Sequence, residues 1–239
     1  MKRIEIQDLT AVILAGGLGT RLRATIPDLP KALAKVGGKP FITYIFDQLH
    51  EAGIKEVVLC TGYLGDDIKR TFGDTYHSIT LKYSKEDKPL GTAGALKLAS
   101  GMINSDPVLV LNGDSICQYN LASMIDYYYA TTAQGSILVS EVLDTSRFGT
   151  VLMEASGKIT EFQEKTNSGH GRVNAGVYLL SRTLLSEIPA FEETSLEKEL
   201  FPSWTNGPLY GFLSAGPLLD IGTAESYMNA QSEISFHTK

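Results

Sequence analysis

The apolar run Ala11-Val12-Ile13-Leu14-Ala15 has the length of a strand and stops abruptly at Gly16-Gly17-Leu18-Gly19-Thr20-Arg21-Leu22. A buried strand that empties into a glycine-rich turn has the layout of a phosphate cradle. Without side chains, Gly16, Gly17 and Gly19 are expected to take positive φ and to bring backbone N–H groups close to an anion. Arg21 adds a guanidinium whose planar fork matches phosphate oxygens, and Pro30-Lys31 offers a second fixed cation. A dinucleotide fingerprint would need a small residue where Leu22 stands. The NTPase phosphate loop would need Gly-Lys-Ser/Thr, whereas Gly38-Lys39 is followed by Pro40. The bland alternative is a tight strand-to-loop turn that binds nothing.

Composition narrows the partners. A formal net charge of −6, a pI near 5.3 and dispersed Lys and Arg argue against a nucleic-acid footprint, while a free nucleotide held by a few placed cations remains compatible. With 239 residues and 43% hydrophobic content, the chain has ample material for a packed core. Lys2, Arg3, Glu5 and Asp8 precede an apolar run that ends at Gly16, which reads as neither a signal peptide nor a membrane span, so no membrane partner is expected. Cys60 and Cys117 stand far apart, without a His at metal-ligand spacing, which favours neither a disulfide scaffold nor a zinc site and makes a reducing cytoplasm the default.

Through the first half, β-branched and aliphatic runs alternate with amphipathic stretches, the pattern of βαβ units and a largely parallel sheet. Strands are expected at about 10–15, 56–61, 78–84 and 107–112. Phe41, Ile42, Ile45, Phe46 and Leu49 recur at helical spacing up to a stop near Gly53, and 66–72 and 93–102 read as further helices. The strand ends then share one edge of the sheet, where ligands of open α/β folds bind. The second half reads as antiparallel additions at 136–142, 150–154, 159–164 and 173–181, with a short strand at 210–213. Helices are expected at 184–188, 196–204 and 224–234. No hexapeptide repeat announces a β-helix. Tyr127-Tyr128-Tyr129 is either an interface patch or the ring-rich side of a helix, and a homo-oligomer is compatible with the sequence.

Four constellations carry chemistry. Asn112-Gly113-Asp114 ends an apolar strand in a carboxylate, and Leu218-Leu219-Asp220-Ile221-Gly222 repeats the arrangement far downstream. Burying unpaired carboxylates is costly, so the two acids are candidates for Mg²⁺, a hard cation that takes one or two carboxylates plus phosphate oxygens; the alternative is a cap or turn residue at each. Pro89-Leu90-Gly91-Thr92-Ala93-Gly94 is a second glycine turn, preceded by Glu86. A carboxylate only accepts hydrogen bonds, and guanine alone presents adjacent N1–H and N2–H₂ donors, so Glu86 here favours guanine; otherwise it is a solvated member of Ser84-Lys85-Glu86-Asp87-Lys88. Finally, Glu164-Lys165 and Asn174-Ala175-Gly176 place an acid, a cation and an amide where a sugar phosphate would need them, unless they form an exposed hairpin end.

Taken in order, Gly16-Gly17-Leu18-Gly19-Thr20-Arg21, Pro30-Lys31, Gly91-Thr92-Ala93-Gly94, Asn112-Gly113-Asp114, Arg147-Phe148-Gly149, Glu164-Lys165, Asn174-Ala175-Gly176 and Asp220-Ile221-Gly222 resemble the sugar-1-phosphate nucleotidyltransferases over nearly the whole chain. The pattern Glu86-Asp87-Lys88-Pro89-Leu90-Gly91 is most similar to guanylyltransferases, and the short length to the D-glycero-α-D-manno-heptose 1-phosphate enzymes of bacterial surface-polysaccharide pathways. Mannose 1-phosphate guanylyltransferases share the base-site pattern, and short uridylyl and thymidylyl enzymes share the phosphate loop. The resemblance implies a Rossmann-like, mixed but mostly parallel α/β sheet flanked by helices, as one domain over 1–239 with a nucleotide-binding half to about 115 and a sugar-phosphate half after it. It implies that Leu14, Ala15, Gly16, Gly17, Gly19, Thr20, Arg21, Glu86, Gly91, Thr92, Asn112 and Gly113 bind GTP, and that Gly149, Glu164, Lys165 and Asn174 bind the sugar 1-phosphate. Arg21, Lys31, Lys165 and Asp114 would carry catalysis, with Mg²⁺ between Asp114 and Asp220. The implied reaction is attack of a sugar-1-phosphate oxygen on the α-phosphorus of GTP with loss of pyrophosphate. A regulator on the same fold that only binds is disfavoured by the joint presence of the acids and lysines.

Overall fold

Both faces of the strand Thr10–Leu14 (β1) are buried, and its side chains divide between two cores: Ala11 and Ile13 join one apolar cluster and Val12 the other. A strand covered on both sides belongs at the centre of a sheet, which is where a continuous aliphatic run is expected. The computed structural model describes residues 3–17, 29–163, 169–214 and 216–234. In chain order β1 is followed by β2 (Lys35–Val36), β3 (Lys39–Pro40), α1 (Ile42–Ala52), β4 (Glu56–Thr61), α2 (Gly65–Phe72), β5 (Thr75–Tyr76), β6 (Ile79–Lys85), α3 (Gly91–Ala99) and β7 (Val108–Asn112). The second half contributes β8 (Ser115–Cys117), α4 (Leu121–Ala130), β9 (Gly135–Val142), β10 (Thr150–Met153), β11 (Ile159–Gln163), β12 (Gly171–Leu180), α5 (Arg182–Glu187), α6 (Phe201–Trp204), β13 (Leu209–Leu213), β14 (Leu218–Asp220) and α7 (Ala224–Glu233).

A 10-stranded sheet runs β11-β10-β12-β7-β1-β4-β6-β5, with β9 beside β12 and β13 beside β9. Its centre, β7-β1-β4-β6, is parallel, as the alternating pattern predicts. In register Leu14 lies between Cys60 and Asn112, so the strands end together and their following loops share one edge. Helix α1 buries Ile42, Ile45, Phe46 and Leu49 against one face and stops at Gly53, which takes φ 94° and donates its N–H back to His50. Helix α3 lays Ala93, Leu96 and Ala99 on the opposite face; small residues there let helix and sheet approach closely.

In the second half β9, β10, β11 and β12 are antiparallel additions, as expected, and the short strand β13 runs parallel to β9, the chain crossing over through α5 and α6 before returning. Expected helix 196–204 divides into a π-helical turn, Leu196–Leu200, and α6. The tyrosine run lies in α4: Tyr128 is buried, Tyr127 packs its ring at 6.4 Å from Tyr210 and 5.6 Å from Phe212, and the Tyr129 hydroxyl accepts from the Ile4 N–H. These rings are the inward side of a helix. Among the described residues no helix is long and apolar enough to cross a membrane.

Candidate active site

The shared strand edge opens into a cleft of about 410 Å³, lined by Leu14, Ala15, Gly16, Gly17, Glu86, Gly91, Thr92, Asn112 and Gly113, with Lys31, Asp114 and Gly222 at its wall. Every described residue singled out in the sequence for the nucleotide therefore meets there. Leu18, Gly19, Thr20, Arg21, Glu164 and Lys165 lie outside the described residues.

The glycines serve close approach rather than left-handed backbone. Gly16 and Gly17 do not take positive φ, contrary to the expectation. A Cβ on Gly16 would stand 3.0 Å from Glu86 Oε1 and 3.2 Å from the Gly62 nitrogen, and one on Gly113 2.9 Å from the Leu14 oxygen. The loops are tied edge to edge by Ala15 N–H to Cys60 O and Gly113 N–H to Leu14 O, both 2.9 Å. At Gly91, by contrast, positive φ is required: it sits at φ 71° with Thr194 O 2.4 Å from where a Cβ would be. That carbonyl receives the Ala93 N–H, which clamps the segment before Leu196 onto the start of α3.

Glu86 is turned inward while Lys85, Asp87 and Lys88 are exposed, so it is not a solvated member of its charge run. Its Oε2 accepts from the Leu90 N–H at 3.1 Å. Burial pushes its carboxyl above the usual range, the Leu90 bond opposes this, and neighbouring Glu193 adds to it. Glu193, which also lines the cleft, carried no sequence signal.

Asp114 and Asp220 are joined by a short ladder. β8 pairs antiparallel with β14, placing Asp220 opposite Ser115, and the Ile221 N–H donates to Asp114 O at 2.9 Å. Lys31 Nζ lies 2.5 Å from Asp114 Oδ2, and Arg147 Nη2 lies 2.8 Å from Asp220 Oδ2. Asp220 Oδ1 accepts from the Gly222 N–H at 2.8 Å, so Asp220 does shape a turn, while its second oxygen carries the Arg147 ion pair. A Cβ on Gly222 would fall 2.9 Å from Asp220 Oδ1 and 3.6 Å from Lys31 Nζ, so glycine there leaves the space in which acids and lysine converge. Two carboxylates, with no third metal-binding side chain grouped with them among the described residues, suit a hard divalent cation that completes its shell with phosphate and water.

Beside the cleft lies a polar network that the sequence only partly signalled. Tyr178, fully buried, receives Asn174 Nδ2 at 3.0 Å and donates to Glu197 Oε1 at 3.3 Å. Burial and Glu197 hold its phenol well above its ordinary range, so it stays a donor. Glu197 Oε2 receives the Thr92 hydroxyl at 2.7 Å, linking the second glycine turn to β12. Asn174 also accepts the Gly176 N–H at 2.8 Å, stabilising the bulge where Gly176 takes φ 76°. Asn174 itself is not among the residues that line the cleft. Gly149 sits away from the cleft wall, where a Cβ would come 2.9 Å from Gln163 O. Glu197 was missed because two of its partners, Thr92 and Tyr178, stand elsewhere in the sequence; only Ser195, whose hydroxyl caps the π turn and donates to Glu197, hints that the segment is fixed.

Residues 10–236 match the nucleotidyl transferase family. The chain is 36% identical over 234 residues to the D-glycero-alpha-D-manno-heptose 1-phosphate guanylyltransferase of Aneurinibacillus thermoaerophilus, covering 96% of this chain and 100% of that one. It is 31% identical to the mannose-1-phosphate guanylyltransferase of Mycobacterium tuberculosis, covering 94% of this chain but 64% of that longer one. Its fold superposes with a TM-score of 0.85 on HddC from Yersinia pseudotuberculosis, solved in complex with GMP-PN, at 30% identity over 95% of this chain and 99% of that one. The match over residues 10–236, nearly the whole chain, makes this protein a member of the nucleotidyl transferase family.

Proposed function

We infer that the protein transfers a guanylyl group from GTP to a heptose 1-phosphate, releasing pyrophosphate. The observation that carries this reading is Glu86, an inward-facing acceptor held by Leu90 in the wall of the same cleft that Lys31 and Asp114 line. An ionised carboxylate there pairs with two adjacent donors, which guanine has and uracil and thymine lack. The heptose assignment is supported by similarity to heptose 1-phosphate guanylyltransferases along their full length.

The chemistry asks little of a protein nucleophile. A phosphate oxygen of the sugar 1-phosphate forms the new bond to the α-phosphorus as the bond to the bridging α–β oxygen breaks, and the electron pair leaves with pyrophosphate; no proton need move. The task is in-line alignment and neutralisation of charge. Asp114 and Asp220 would hold Mg²⁺, which supplies Lewis-acid polarisation of the phosphate oxygens. Lys31, already at the cleft wall, screens the repulsion between the two substrates' phosphates, and Arg21 and Lys165 are assigned the leaving group and the sugar phosphate. Thr92 and the backbone from Leu14 to Gly17 hold the nucleoside in place. The cytoplasm, where GTP is made, is the proposed compartment. Glu86→Gln tests the reading: kcat/KM for GTP relative to UTP should fall by about tenfold, the worth of one charge-assisted hydrogen bond, and an unchanged ratio would remove the base-reading role.

A further inference from the structure

Asp220 is one of the two acids suited to a divalent cation, yet its carboxylate is fully engaged by the protein itself: Oδ1 with the Gly222 N–H and Oδ2 with Arg147 Nη2, each at 2.8 Å. Asp114 is held in the same manner by Lys31. Two cations therefore balance two anions around Gly222. Arg147 comes from loop 143–149 between β9 and β10, and its side chain keeps 34% of its surface exposed. The loop nevertheless presents it firmly. Ser146 N–H donates to Asp144 Oδ1 at 2.9 Å, Thr145 N–H to Gly169 O at 3.0 Å and Phe148 N–H to Thr145 O at 2.9 Å, which brackets Arg147 in a closed turn directed at the β14 acid.

A divalent ion on Asp220 Oδ2 and a guanidinium on the same oxygen repel strongly in a half-buried site. Arg147 and the metal compete for that oxygen. When displaced, Arg147 has a forked donor set that matches a phosphate, and it stands beside Asp220, two residues before Gly222 at the cleft wall. We propose that Arg147 exchanges partners during the cycle, occupying Asp220 in the ligand-free protein and binding the phosphate of the sugar 1-phosphate when the metal takes Asp220. The proposal rests on the reading of the reaction given above. It also explains the geometry economically: the acids are kept neutralised until substrate brings both the metal and the negative charge that Arg147 then meets.

The test separates metal binding from turnover. Mn²⁺ binding to substrate-free protein, read by the EPR signal of the free ion, should be about threefold or more tighter in Arg147→Gln, because the competitor for Asp220 is gone. In steady state the same variant should raise KM for the sugar 1-phosphate by about tenfold, leaving KM for GTP within about twofold. Arg147→Lys keeps a point charge but loses the fork; it should bind Mn²⁺ as the wild type does and still raise KM for the sugar 1-phosphate. Unchanged or weaker Mn²⁺ binding in Arg147→Gln, or an unchanged sugar-phosphate KM in either variant, would overturn the exchange. If Arg147→Gln does not fold, judged by circular dichroism, the KM of Arg147→Lys decides. Wild-type protein inactive with every sugar 1-phosphate would refute the reaction assignment instead, and the Mn²⁺ comparison would still report on the competition.

Discussion

Glu86 shows how one side chain can be costly to the fold and necessary to the site. Its carboxyl is raised first by burial and then by Glu193, and the Leu90 N–H only partly offsets this. The folded chain thus binds that proton more tightly than the unfolded chain, and the associated stability is present below the ordinary carboxylate range and lost as pH rises through the raised value. At pH 7 the charge opposes folding, so Glu86→Gln should raise the thermal midpoint of the ligand-free protein while impairing discrimination for GTP; a lowered midpoint in calorimetry would contradict the burial argument. Tyr178 presents the opposite case. Its hydroxyl joins Asn174 to Glu197 inside the core, so Tyr178→Phe strands an amide donor and a carboxylate acceptor and should cost about 1–3 kcal/mol in denaturant unfolding. A loss near zero would show that the network contributes nothing to the fold.

Among the elements, α3 is held by backbone geometry and α1 by side-chain volume. Gly91→Ala forces a Cβ into Thr194 O at a left-handed residue, which should cost on the order of 2 kcal/mol and loosen the cleft, seen as a raised KM for GTP. Phe46→Ala removes a fully buried ring packed 5.2 Å from Phe72 and 5.0 Å from Tyr76 and should cost about 3–5 kcal/mol with KM unchanged, because the cavity opens far from the strand edge. Unfolding curves and KM measured on both variants distinguish the two. The parallel strands and α1 were legible because burial on both faces, or at helical spacing, writes a continuous pattern into local sequence. β8 and β14, of three residues each, were not: too short for any period, they exist because each is the other's partner. α4 escaped for another reason. Leu121, Met124, Ile125 and Tyr128 repeat as a helix does, but the tyrosines drew attention to a surface that is largely inside. The parallel entry of β13 depends on the path of the intervening helices, which no local pattern encodes.

Across the whole molecule, the site is assembled where the main sheet's strand ends meet a separate two-stranded ladder. Asp114 lies at the end of the parallel half, Asp220 near the other end of the chain, and the β8–β14 ladder joins them, so residue types were readable from sequence while their meeting was not. The roles of Glu197 and Arg147 were hidden for the same reason, their partners Thr92 and Asp220 being far away in sequence. Asp220→Asn leaves an oxygen to accept the Gly222 N–H but removes the charge; turnover should fall by about two orders of magnitude or more with the thermal midpoint little changed. The most direct test of the account is pyrophosphate release with Mg²⁺ across GTP, UTP, CTP, ATP and dTTP, each paired with heptose, mannose and glucose 1-phosphates. Release with GTP and D-glycero-α-D-manno-heptose 1-phosphate should stand far above every other pair, with GDP-heptose formed in equal amount. Preference for UTP or dTTP, or silence from folded protein in every pair, would contradict it.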